Sequence, residues 1–132
     1  MSSFLYLIVY FFTILTSCGD DFDEKDDLAR LDALKMEVLS LVGEGDCSEL
    51  AVCRSLALGA KPCGGPWEYL IYSTTNSDTL KINEKVEEYN ELNRILNIRY
   101  GYLSDCTIVE EPQLVCLDGK CADSNKIEGD SP

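Results

Sequence analysis

A chain of 132 residues with 24 acidic side chains, 11 basic ones and no histidine carries a formal net charge of −13 at neutral pH. That length bounds the folded part to one small domain, and a negative field of this size repels phosphate backbones, so nucleic acid is disfavoured as a partner while basic proteins or cations are favoured; solubility alone also accounts for it. The missing histidine removes the commonest general base and nucleophile activator.

The chain opens on an apolar run, residues 4–16, which closes on Leu15-Thr16-Ser17-Cys18. A helix needs roughly 20 apolar residues to cross a bilayer, so the run is too short to span one. Its length suits the core of a signal peptide followed by small residues at a cleavage point, with the positive flank supplied by the N-terminal amine alone because no Lys or Arg precedes it. The tetrapeptide resembles the lipobox of bacterial lipoproteins. That resemblance implies that residues 1–17 are a discarded signal peptide and that Cys18, carrying a diacylglyceryl group, becomes the first residue of a lipid-anchored protein of the cell envelope. Ordinary secretion with a free Cys18 thiol, or a buried N-terminal helix, are the rival readings.

Residues 18–27 follow as an acidic run with almost nothing apolar to bury, which predicts a solvated tether. A calcium loop fits poorly, since Lys25 stands where an oxygen ligand is wanted and the turn glycine and distal glutamate are missing. The run resembles the export tag of surface-displayed lipoproteins of the Bacteroidetes group, which implies an outer-membrane location facing outward; without such a tag the domain faces the periplasm.

From residue 27 to 42, Leu28, Leu31, Leu34, Val38 and Leu41 recur every three or four positions and predict an amphipathic helix, stopped by Gly43 and Gly45. Residues 47–58 read as extended, with Leu50, Val52, Arg54 and Leu56 on one face. A glycine- and proline-rich turn, residues 59–66, leads into an aromatic and β-branched strand, residues 67–73. Helix-start chemistry at residues 74–78 precedes a long helix over 79–97, lined on one side by Ile82, Val86, Tyr89, Leu92 or Asn93, and Leu96. Two more extended stretches, 106–109 and 113–121, follow, the second containing Asp118-Gly119, the strongest short signal for a type I′ hairpin. Residues 125–132 are a polar tail. The prediction is an α+β domain over residues 28–124, with one short antiparallel sheet, one long helix packed on it and an N-terminal helix.

Setting Cys18 aside leaves Cys47, Cys53, Cys63, Cys106, Cys116 and Cys121. In an oxidising compartment six cysteines imply three disulfides among about 15 connectivities. A thiolate metal cluster is disfavoured, because the chain has neither a Cys-x-x-Cys pair nor a histidine, and no cofactor is indicated. Across the expected hairpin Cys116 faces Cys121 in a non-hydrogen-bonded pair, at a Cα separation of about 4.5–5.5 Å that a disulfide can bridge. Either cysteine can equally tie the hairpin to Cys53 or Cys63.

Gly59-x-Lys61-x-Cys63-Gly64-Gly65-Pro66-x-x-Tyr69-Leu70-x-Tyr72-Ser73, Tyr89-Asn90, Ser104-Asp105-Cys106 and Cys116-x-x-Gly119-x-Cys121 together resemble a group of small, cysteine-rich exported bacterial proteins. The resemblance implies one compact cysteine-rich domain on a lipid tether and suggests no particular reaction. Catalysis is disfavoured on the residues too, since bridged cysteines offer no thiolate and Cys63-Gly64-Gly65-Pro66 lacks the amide array of a phosphate loop. Two binding functions remain. In one, Trp67, Tyr69, Tyr72, Tyr100 and Tyr102 anchor a protein partner steered by the acidic field, in competition with their use as core. In the other, the rigid turn displays Lys61 beside bridged Cys63 as an inhibitor of, or immunity protein against, a basic secreted enzyme.

Overall fold

A computed structural model describes residues 23–128; the expected leader, Cys18, the first half of the tether and the end of the tail lie outside the described residues. Helix α1 spans Glu24–Val42. Asp23 caps it by accepting the Lys25 amide, and Glu24, Asp26 and Asp27 sit at the positive end of its dipole. The helix therefore starts three residues ahead of the expected position. The last acidic residues assigned to the tether are good first-turn residues, and they join the helix instead of preceding it. Leu31, Leu34, Val38 and Val42 form its buried stripe.

Helix α2, Thr79–Tyr100, is capped by Asp78, whose carboxylate accepts the Lys81 amide, and ends at left-handed Gly101. It runs antiparallel to α1, with Ser77 hydrogen-bonded to the Val42 carbonyl at one end and Asp27 bonded to Tyr100 at the other. Ile82, Val86, Tyr89 and Leu96 face the α1 stripe and the sheet beneath. Of the two candidates for its buried line, Asn93 is the one buried, with Leu92 only partly so.

Strands β1, Cys53–Leu58, and β2, Glu68–Ser73, pair antiparallel with Leu56 opposite Leu70 and Leu58 opposite Glu68. Alternation sends Leu56, Leu58, Leu70 and Tyr72 towards the helices and leaves Ser55, Tyr69 and Ile71 on the other face. Residues 50–52 make a 3-10 turn, so the face expected to begin at Leu50 begins at Arg54.

The hairpin forms as its Asp-Gly turn predicts. Strands β3, Leu114–Leu117, and β4, Lys120–Asp123, are joined by Asp118 and Gly119, both with positive φ. They make a second two-stranded antiparallel sheet lying against β1 and β2. Residues 45–47 line up beside the turn: Cys47 N–H donates to the Gly119 carbonyl and Cys121 N–H to that of Gly45. The short helix α3, Ser124–Glu128, follows. The extended stretch expected at 106–109 is no strand; residues 102–113 have no regular structure and are mostly exposed.

Three disulfides join Cys47 to Cys116, Cys53 to Cys121 and Cys63 to Cys106. Cys116 and Cys121 do face each other across the hairpin, but each bonds outward, and the cross-hairpin bridge is corrected. Residues 45–47 dock on the hairpin and bring Cys47 to Cys116, while Cys53 opens β1 on the face turned to the hairpin. These two bridges close loops with sequence separations of 69 and 68 residues. In chain-entropy terms each contributes about 4 kcal/mol, against about 2 for a loop as short as the hairpin. Non-reducing peptide mapping of the oxidised protein is expected to recover these three pairs, and a Cys116–Cys121 peptide would refute the connectivity.

Candidate functional site

The turn at residues 59–66 is fixed from two sides. Asparagines on α2 at 90, 93 and 97 form a ladder against its start: Asn90 accepts the Gly59 N–H and donates to the Ala57 carbonyl, Asn93 accepts the Ala60 N–H at 2.8 Å, and Asn97 donates to the Ala60 carbonyl. On the far side the Cys63–Cys106 bridge ties the turn to the loop after α2. Gly59, at φ +82°, lies under Trp67, and a Cβ there would come within 2.5 Å of the indole Cδ1.

Lys61 is not displayed. Its residue exposure is 8 %. The ammonium donates to the Thr107 carbonyl at 2.7 Å, lies 3.4 Å from an Asp105 carboxylate oxygen, and sits 5.2 Å from the centroid of the Trp67 ring. The expectation that the loop presents this lysine to an enzyme is corrected: the loop's rigidity is real, and the lysine is part of what makes it rigid. Asp105 is held below the usual carboxylate range, chiefly by hydrogen bonds from Thr107 and then by Lys61.

The aromatics separate by role. Tyr72 is core. Tyr100 and Tyr102, with ring centroids 5.8 Å apart, close a clasp between the helix ends, Tyr100 donating to Asp27 at 2.8 Å and Tyr102 to Glu24, with Arg99 also paired to Asp27. The Tyr100 hydroxyl, then Arg99, holds the Asp27 carboxyl below its ordinary value, and hydrogen bonding to Glu24 pushes the Tyr102 phenol up to about 12.

Trp67 and Tyr69 remain, and the fold brings them together. Trp67, 42 % exposed, immediately precedes β2 with its N–H on the Leu58 carbonyl, and Tyr69 and Ile71 project from the face of β2 away from the helices. Val109 and Pro112 of the irregular segment complete a groove of about 200 Å³ whose rim holds Glu68, Glu110, Asp123 and Lys126. Lys35 neutralises Glu68 from α1 at 2.6 Å, and the carboxylate raises the lysine above its ordinary value. With Glu68 paired, Glu110 and Asp123 face one lysine, Lys126, so the trough accepts a hydrophobic side chain and the chain's net charge of −13 favours positive charge beside it. Sequence reasoning named Trp67 and Tyr69 and missed Ile71, Val109 and Pro112, which meet them only in the fold. It also passed over the asparagine ladder, whose signal is amide side chains at helical spacing on an otherwise apolar face.

The sulfurs of Cys47, Cys53 and Cys121 lie within 4.8 Å of one another, but all three are bridged and offer no thiolate to a metal. No helix among the described residues is long and apolar enough to cross a membrane. No protein-family model matches the chain, and no curated protein or solved structure is significantly similar to it.

Replacing Lys61 with Ala leaves the Thr107 carbonyl and Asp105 without their cation; the expected cost is about 1–3 kcal/mol in urea unfolding, with inhibition of trypsin-like proteases absent in both proteins. The clasp sets a pH dependence at both ends. Because the folded Asp27 pKa is depressed, its contribution is full above the ordinary carboxylate range and fades as pH falls through the folded value; because that of Tyr102 is raised from 10.0 to about 12, its contribution is full below 10.0 and fades as pH rises towards 12. Urea midpoints followed against pH should lose the acid-side portion of this dependence in Asp27→Asn and the alkaline portion in Tyr102→Phe.

Proposed function

We propose that the protein is a non-catalytic, lipid-anchored module of the bacterial cell envelope, held at the outer membrane through Cys18, that binds a basic extracytoplasmic protein in the groove between β2 and residues 109–112. The observation that carries this is the groove itself: Trp67, Tyr69 and Ile71 meeting Val109 and Pro112, beside Glu110, Asp123, Lys126 and a Glu68 already paired with Lys35, on a chain of net charge −13. Aromatic anchors in a partly enclosed trough supply the contact energy, and the surrounding field supplies orientation and encounter rate. The lipobox-like Leu15-Thr16-Ser17-Cys18 and three bridges among the remaining six cysteines favour an exported, anchored protein. An inhibitor or immunity role through Lys61 loses its motive, since that side chain is spent inside the loop; a partner that happens to be an enzyme would have to be met by the groove.

The expected result of affinity capture on the oxidised domain is retention of a basic envelope or secreted protein that weakens as salt rises. In a Tyr69→Ala, Ile71→Ala double variant the affinity should fall by roughly tenfold or more, as for loss of an anchoring pair worth at least about 1.4 kcal/mol. Undiminished binding by that variant, with its three bridges intact, removes the groove from the proposal.

A further inference from the structure

We infer that the end of the domain from which the tether leaves is a lipid-contact face, with Ile98, Leu103 and Ile108 set into the interfacial layer of the bilayer. The inference rests on the anchor at Cys18 and adds to it an orientation. Helix α1 begins where α2 ends, as the contacts of Glu24 with Tyr102 and of Asp27 with Tyr100 establish. The turn after β1 is at this end too, because Asn93 and Asn97 near the end of α2 hold Ala60, and the Cys63–Cys106 bridge joins that turn to the segment carrying Leu103 and Ile108. Ile98, Leu103 and Ile108 are 72 %, 91 % and 87 % exposed, and they are three of the four most exposed large hydrophobic residues described, the fourth being Leu80 at the opposite end, 81 % exposed.

What covers these three side chains follows from where the chain is tied. Cys18 precedes the helix cap Asp23 by five residues, and even fully extended these reach no more than about 18 Å. An acyl chain in the membrane therefore keeps the start of α1 within about 18 Å of the bilayer, with the hairpin turn and the start of α2 at the far end of the domain. Aliphatic side chains are favoured in the interfacial layer in proportion to the area they remove from water. The acids at positions 20, 21 and 23 oppose contact with anionic head groups, so the surface that fits is zwitterionic phospholipid.

The test uses the acylated protein reconstituted into phosphatidylcholine vesicles with brominated acyl chains, which quench tryptophan on contact. The chain has one tryptophan, so Trp67→Phe gives a silent background for the reporters Leu103→Trp, Ile108→Trp and Leu80→Trp, all at exposed positions. Severalfold quenching of the 103 and 108 reporters, with the 80 reporter unchanged, is the expected result; equal quenching of all three, or none at 103 and 108, overturns the inference. Circular dichroism and mapping of the three bridges certify each variant's fold, and the two proximal reporters stand in for each other. An intact mass lacking acyl groups on Cys18 overturns the anchor and the orientation together, whereas an acylated protein with unquenched reporters overturns the orientation alone.

Discussion

Each of the three bridges has one cysteine at or before residue 63 and the other at or after residue 106. That constraint organises the molecule, because the hydrophobic core is made entirely by α1, β1, β2 and α2, and no described residue after Tyr100 is buried. The hairpin and the irregular segment before it contribute too little apolar area to hold themselves against the core. Covalent ties do that instead, with the hydrogen bonds of Cys47 and Cys121 fixing the hairpin's register on residues 45–47. The groove depends on the same arrangement, since one wall is a core strand and the other belongs to the tied segment.

The turn at residues 59–66 is rigid by a different means. The asparagines of α2 take the Gly59 and Ala60 amides and the Ala60 carbonyl, Lys61 N–H donates to the Gly65 carbonyl and Gly64 N–H to that of Lys61, and the lysine side chain is held by Thr107 and Asp105. Among the described residues every buried side-chain nitrogen and oxygen has a partner, which is what a buried polar network needs if it is to fix one geometry without a desolvation cost. The turn thus acts as the platform for Trp67, holding the indole over Gly59 at the mouth of the groove.

Features set by neighbours in sequence were legible in it. Periodicity and caps located both long helices, β-branched and aromatic residues located β2, and Asp118-Gly119 located the hairpin together with the Cys116 and Cys121 register. Features set by distant neighbours were not. Whether Cys116 bonds across the hairpin or to Cys47 is decided by where residues 45–47 dock, and whether Lys61 points out or in is decided by a carbonyl 46 residues later. The stretch at 106–109 has strand-like residues but pairs with neither sheet, and propensity alone does not make a strand. For the groove, two aromatics could be named in advance and their three apolar companions could not, because Val109 and Pro112 reach β2 only through the tied segment.

The bridge pattern also governs how the chain can mature. A polypeptide emerging N-terminus first presents Cys47, Cys53 and Cys63 long before any of their native partners, and only one native bridge, Cys63–Cys106, joins two cysteines consecutive in the chain. An oxidant working in order of appearance would join Cys47 to Cys53 and Cys116 to Cys121, neither of them a native pair, and reshuffling them takes seconds to hours unaided. Correct closure calls for late oxidation or for a disulfide isomerase, which makes the yield of this domain a property of the cell's thiol-exchange machinery as much as of its own sequence.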